Sequence, residues 1–317
     1  MSSATPPSAA AARSAPAPTP PSSTGRFPPV WQAGRHVLSL DQPLIMGVVN
    51  VTPDSFSDGG CYDTPLKALR HCEQLLQEGA HVLDIGGEST RPGSPAVDEA
   101  EEIARVLPVV REAVKLGVPI SVDTYKPGVM QAVLDLGADI VNDIWALRQP
   151  GARAVVAAHA NCGVCLMHMH RDPQTMQQAP MDGDVVSQVR AFLDEAAQAL
   201  VVQGVDPQRI LLDVGPGFGK TVEQNFSLLA RQAELLDMGY AWLAAWSRKS
   251  SLGAVTGLPV EQRMVPSVAA ALLAVEQGAR VVRVHDVAET SAALKVWQAY
   301  DRQRPARAGK AAPQAAA

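Results

Sequence analysis

A single (β/α)8, or TIM, barrel between disordered tails is predicted by three features of the sequence. Eight short runs rich in Val, Ile and Leu recur along the chain. Segments of helical period separate them, and several of these end in glycine just before the next run. Polar side chains collect where the runs end, the end at which barrels of this architecture carry their chemistry.

The first run, residues 44–51, shows little polar alternation, as expected of a parallel strand covered on both faces. A helix over 66–77 comes next and stops at Gly79. The same rhythm repeats: strand 81–85 and helix 98–115, closed by Gly117; strand 118–122 and helix 127–136, closed by Gly137. Strand 139–141 leads into helix 152–160, and strand 163–167 into helix 184–203 with Gly204. Strand 210–214 precedes helix 223–236 and Gly239, and strand 241–246 precedes helix 267–277 and Gly278. Strand 280–284 and helix 287–300 complete eight units. An open doubly wound sheet is the runner-up, but eight even units favour closure.

The 317 residues are 47% hydrophobic and 19% charged, enough apolar mass for one large core. Barrels of roughly 250 residues fold as one domain, so residues 31–303 are expected to form the body. Residues 1–30 are crowded with Ala, Pro, Ser and Thr, and prolines interrupt any apolar run that a signal peptide would need. A disordered leader is expected there, and a similar tail over 304–317. A formal net charge of −5 gives no reason to expect nucleic acid or an anionic membrane as partner. No segment reaches the roughly 20 apolar residues of a membrane span. The four cysteines are too few and too scattered for a disulfide framework. A cytoplasmic enzyme acting on small molecules is the expectation.

The polar residues at the strand ends are informative. Asn50 ends the first, Asp84 lies on the second, Asp123 ends the third, and Asn142 and Asp143 end the fourth. Met167 and His168, Asp213, the run Ser247-Arg248-Lys249, and Arg283, His285 and Asp286 come at the ends of the rest. Helix capping and pairing with neighbours account for Asp84, Asp143 and Asp286. Asp123, Asn142 and Asp213 together point to a bound ligand. Two long polar segments, 52–60 and 86–94, read as covers over a site, Arg91 reaching in from the second. Ser247 and Lys249 at a helix start, with Arg283 and His285 beside them in barrel order, suit a phosphate or another anion.

The phrases LIMGVVNVTPDSFSDGG (44–60), VLDIGGESTRPGS (82–94), SVDTYKPGVMQAVLDLGADIVNDI (121–144), VCLMHMHRDPQTMQ (164–177), LLDVGPGFGK (211–220), SRKSSLG (247–253) and RVHDV (283–287) resemble the dihydropteroate synthase family of pterin-binding barrels. The resemblance covers roughly residues 40–300 and implies condensation of 6-hydroxymethyl-7,8-dihydropterin diphosphate with 4-aminobenzoate, with Mg2+ assisting and Asn50 as its protein ligand. It assigns Asp123, Asn142 and Asp213 to the N–H edge of the pterin and Lys249 to its carbonyl side. Ile144, Met167 and Phe218 become the apolar walls. Asn50, Arg91, Ser247, Arg283 and His285 hold the diphosphate, and Thr90, Arg91, Pro92, Phe218 and Ser247 line the aminobenzoate pocket. Asn50, Arg91, Lys249, Arg283 and His285 are the expected catalytic residues, and a homodimer is the expected assembly. The loop after the sixth barrel strand departs from the family's usual Asp-Pro-Gly beginning: Val214 and Pro216 alter its backbone constraints, while Asp213, Phe218 and Lys220 keep register.

Other patterns carry less. Cys162 and Cys165, with His168 and His170, look like a zinc cluster, but an odd separation turns two strand residues to opposite faces. The segment 215–221 is one residue short of a nucleotide-binding phosphate loop. Cys61 beside a polar loop reads as a small loop residue. A methyltetrahydrofolate-binding methyltransferase would keep the Asp–Asn–Asp set without needing the basic SRKS and RVHD groups. A non-catalytic relative acting through protein contacts would have lost Asn50, Thr90 or Arg91, and all three are present.

Overall fold

The computed structural model describes residues 28–52, 64–90, 93–172, 175–176 and 179–304. Most of the expected leader and tail, the greater part of the segment 52–60, Cys61, Arg91 and Pro92 lie outside these residues.

Eight parallel strands close on themselves: β3 (Leu44–Asn50), β4 (Val82–Gly86), β5 (Ile120–Asp123), β6 (Ile140–Asp143), β7 (Gly163–Met167), β8 (Ile210–Asp213), β9 (Ala241–Ala244) and β10 (Val281–Val284), with β10 pairing both β9 and β3. Helices α1 (Thr64–Glu78), α2 (Glu99–Ala113), α3 (Pro127–Asp135), α4 (Ala152–Ala158), α5 (Val185–Val201) and α6 (Val222–Ala230) alternate with them, followed by α7 (Ser250–Thr256), α8 (Met264–Glu276) and α9 (Val287–Arg302). The barrel predicted from the eight apolar runs is the fold observed.

Three local departures have physical reasons. The helix expected over 223–236 breaks after Ala230 and continues as a 3-10 stretch, Gln232–Met238, in which buried Gln232 donates to the Ala274 carbonyl. α8 begins three residues earlier than expected, because Pro266 falls in the first turn, where no N–H is needed. Ahead of the barrel stands an unpredicted antiparallel hairpin, β1 (Val30–Ala33) and β2 (His36–Ser39).

That hairpin closes the N-terminal end of the barrel. Trp31 is fully buried among Met46, Val82, Ile140, Leu211 and Val281, and its Nε1 donates to the Arg209 carbonyl at 3.1 Å. Asp139 accepts from the Arg35 amide and both arms of its guanidinium, each at 3.0 Å, and from the Ile120 amide at 3.1 Å. Gly34, with φ +59°, lies so close that a Cβ there would sit 2.4 Å from an Asp139 oxygen, so this turn requires glycine.

Two large apolar clusters fill the space between strands and helices, and a third fills the lower barrel interior. Side chains two residues apart on a strand share a face, and this spacing lifts chemistry to the mouth. Val82 is followed inside by Asp84, Ile140 by Asn142, Cys165 by Met167, Leu211 by Asp213 and Val281 by Arg283. The apolar member of each pair packs the interior, and its successor meets whatever enters from above.

Candidate active site

Strand register brings the expected residues together. Asp123 stands opposite Asn142 on the neighbouring strand, Met167 opposite Asp213, and Asn50 opposite Gly86. Arg283 reaches across this layer. Its Nε donates to Asp84 Oδ2 at 2.6 Å and its Nη2 to Asp123 Oδ2 at 2.7 Å. The same Asp84 oxygen accepts from Asn142 Nδ2 at 3.2 Å. Asp213 Oδ1 accepts from the Gly215 amide at 2.8 Å. Asp84, Asp123, Asn142, Asp213, Lys249 and Arg283 therefore form one electrostatic unit, in which Asp84 has the pairing role expected of it.

Burial sets its charge states. It pushes the Asp123 carboxyl up to about 7, with Arg283 pulling back and Asp84 adding to the rise. It raises Asp213 as well, against the Gly215 amide and Lys249. Burial draws the Lys249 ammonium down to about 8, while Asp213 works to keep it charged. Arg283 is held charged: burial opposes it, but Asp84 and Asp123 outweigh that cost.

Apolar walls stand beside these groups. Ile144, Met167 and Phe218 pack in one cluster with Met169 and Met176, and the Lys249 ammonium lies 4.4 Å from the centre of the Phe218 ring. Acceptors on one side, apolar walls and a cation over an aromatic face together make a slot of the kind that suits a planar heterocycle rich in N–H groups.

The loop after β8 holds its shape through Lys220. The buried Nζ donates to the carbonyls of Gly215 at 2.9 Å, Phe218 at 3.0 Å and His168 at 3.3 Å. Gly215 and Gly219 have φ of +64° and +70°, and a Cβ at Gly215 would meet the His168 carbonyl oxygen at 2.1 Å. Val214, where the family pattern has proline, is buried, and the loop keeps Asp213 and Phe218 in the site.

The side expected to hold an anion is built differently from a simple cluster of cations. Ser247 Oγ accepts the His285 amide at 3.2 Å and lies 2.9 Å from His285 Nδ1. Burial, with Arg283 nearby, lowers His285 to about 3, so the ring is neutral at physiological pH. In the tautomer protonated at Nε2, the hydroxyl donates to Nδ1 and Nε2 is left as a donor. Arg248, in a left-handed conformation at φ +60°, turns to Asp286, with Nη2 2.6 Å from its carboxylate. Asp286 thus has the pairing role expected of it, and Asp143 caps the chain beyond β6 by accepting from the Trp145 and Leu147 amides.

Asn50 is half-buried at the end of β3. Thr90 lines a cavity of about 220 Å3 together with Glu88, Tyr125, Ile144 and Trp145. The expected site residues Arg91 and Pro92 lie outside the described residues.

Sequence reasoning gives no role to Glu88 and Lys126, although both stand in the quoted motifs. The Lys126 ammonium donates to Glu88 and to buried Glu102, and Tyr125 Oη donates to Glu88 at 3.1 Å. This pairing ties the segment after β4 to the one after β5. The apparent zinc cluster is absent: Cys162 and Cys165 fall in different packing layers, and among the described residues no group of three His, Cys, Asp or Glu could hold a metal ion.

Comparisons with known proteins agree with this geometry. The profile of a family described as pterin binding enzyme matches residues 46–285. The dihydropteroate synthase of Neisseria meningitidis serogroup B is 50% identical over 276 residues, covering 85% of this chain and 97% of that protein. The Escherichia coli K12 enzyme of the same name is 44% identical, covering 83% and 93%. Among solved structures, Burkholderia cenocepacia dihydropteroate synthase complexed with 7,8-dihydropteroate is similar with a TM-score of 0.79 and 50% identity, covering 88% of this chain and 99% of that one. The Xanthomonas albilineans enzyme with 4-aminobenzoic acid has a TM-score of 0.82 and 48% identity, covering 87% and 99%. A barrel whose mouth gathers Asp123, Asn142, Asp213, Lys249 and Arg283, matched over most of its length to these relatives, belongs to the pterin-binding enzymes and, within them, to the dihydropteroate synthase family of transferases.

Proposed function

We propose that this chain joins 6-hydroxymethyl-7,8-dihydropterin diphosphate to 4-aminobenzoate, releasing diphosphate and 7,8-dihydropteroate. The observation that carries the reading is the slot at the mouth, where Asp123, Asn142 and Asp213 stand as acceptors and Lys249 lies over Phe218. The solved relatives hold the product and the aromatic amine, respectively.

In the reaction the methylene carbon loses its bond to the diphosphate oxygen, which departs with the electron pair. The amine nitrogen then forms the new C–N bond and gives up a proton. The dihydropterin ring can delocalise positive charge, so the path is SN1-like, bond breaking preceding attack. The acceptors hold the N–H edge, Lys249 donates to the carbonyl, and burial keeps water from the cation. The His285 Nε2–H, with the ring held by the Ser247 hydroxyl at Nδ1, and Arg283 are the donors for the departing diphosphate. Thr90 and Phe218 with Arg91, Pro92 and Ser247 form the aminobenzoate pocket in this reading, and no side chain acts as nucleophile.

The Asn50 amide offers one hard oxygen at the mouth, and Mg2+ commonly takes one or two protein oxygens and the remainder from phosphates and water, so the residue fits that ion. Bound there, Mg2+ would neutralise charge on the leaving diphosphate.

The assembly we propose is a homodimer. Val255 on α7, Val265 and Leu273 on α8, and Val296 and Tyr300 on α9 are exposed apolar side chains on helices that pack side by side. Among the described residues no helix is long and apolar enough to cross a membrane, and Cys72, Cys162 and Cys165 are free and buried. Free thiols support placing the enzyme in the cytoplasm.

The test is a coupled assay of diphosphate release with and without 4-aminobenzoate and Mg2+. Release should require both substrates and the ion. Asp213→Ala at near wild-type activity would count against the pterin assignment.

A further inference from the structure

Asp84 has no part in the reaction as proposed, yet its carboxylate joins two residues of the mouth. It is fully buried on β4, and its Oδ2 accepts from both Arg283 Nε and Asn142 Nδ2. Its Oδ1 is buried without a hydrogen-bond partner among the described residues. A carboxylate can only accept, so the Asn142 group that faces it must be the NH2. The other end of the amide, Oδ1, is thereby turned to whatever occupies the slot. The same oxygen fixes the Arg283 fork, whose remaining arm meets Asp123.

We infer that Asp84 is a positioning residue that writes the donor–acceptor pattern of the slot. It locks Asn142 as an acceptor toward the ligand and holds Arg283 beside Asp123. The inference rests on the pterin reading and deepens it. The preference for a 2-amino heterocycle over its 2-oxo counterpart depends on a residue that contacts neither. An unpaired asparagine could flip its amide and serve either ligand equally, because both ends are nearly equal in size.

The experiment compares two probes by calorimetry, 6-hydroxymethylpterin and 6-hydroxymethyllumazine, which carry an amino and an oxo group respectively at the same ring position. Wild type should prefer the pterin strongly. Asp84→Asn should weaken pterin binding by about tenfold or more, and it should narrow the pterin-to-lumazine ratio by a comparable factor as Asn142 gains freedom to rotate. In the double exchange Asp84→Asn with Asn142→Asp, the carboxylate at 142 accepts through either oxygen and needs no partner to orient it, so the ratio should return to within about threefold of wild type. A purely structural role would lower both affinities together and leave the ratio unchanged, which overturns the inference. If the single variant fails to fold, the double exchange decides: recovery of the ratio supports the role, and its absence overturns it. Wild-type protein that binds neither probe would instead overturn the pterin reading itself.

Discussion

At the scale of single residues, Asp123 and Lys249 set the pH range in which the slot can recognise its ligand. Burial pushes the first up to about 7 and draws the second down to about 8. Below 7 the Asp123 carboxyl takes a proton and stops accepting from an N–H edge. Above 8 Lys249 loses the proton that makes it a cation. Both changes act on the free enzyme, so kcat/KM for the pterin diphosphate should rise as pH climbs through about 7 and fall beyond about 8. Asp123→Asn should remove the acid limb and leave the alkaline one, which a pH series on both proteins would establish. Lys249→Ala deletes a buried cation that answers Asp213 and Asp123. It should lower kcat/KM by about a hundredfold, on the scale of lost charged hydrogen bonds in a closed site. A loss below threefold in steady-state assays would remove Lys249 from the site.

At the scale of elements, two pieces carry stability and shape without touching the reaction. Trp31 closes the barrel from below and packs into the interior that the barrel strands share. Trp31→Ala should therefore cost about 3–5 kcal/mol in denaturant unfolding, while kcat of the folded fraction stays near wild type. The loop after β8 makes the opposite case. Lys220→Met keeps the length of the side chain but removes the cation that gathers three carbonyls. The KM values should rise more than kcat falls, since Phe218 loses its fixed position. These two elements also mark where the sequence stops being readable. The barrel strands are legible because each is a short apolar run, and the mouth because its polar residues fall two places after an interior one. The hairpin is not, since each of its strands has only four residues and its partners Arg209 and Asp139 lie 178 and 104 residues away. Lys220 is visible as part of a motif but its role is not, because backbone carbonyls leave no signature in the side chains around them. The Glu88–Lys126–Glu102 pairing is hidden for a related reason: three charged residues on separate segments meet only once the barrel has closed.

At the scale of the whole molecule, the distribution of apolar surface argues for assembly. Most large apolar side chains are buried in the clusters around and within the barrel, yet α8 presents Val265, Ala269 and Leu273 to solvent at a spacing of four residues. Residues four apart lie on one face of a helix, so these three form a stripe. Val265 and Leu273 are 67% and 56% exposed, too open to be serving the core. On α9, which packs against α8, Val296 and Tyr300 repeat the same spacing and the same exposure. Exposed apolar side chains on two neighbouring helices are what the proposed homodimer would bury. A twofold axis would let the stripe meet its own copy, because such an interface uses the same patch on both subunits. Leu273→Glu would then place two carboxylates close to the axis and shift the protein to monomer in sedimentation velocity at micromolar concentration. The catalytic groups sit inside the barrel mouth, so kcat per subunit should change by less than about threefold, a difference of under 1 kcal/mol. If Leu273→Glu and Val265→Glu both sediment as wild type does, the face on α8 and α9 has no part in assembly.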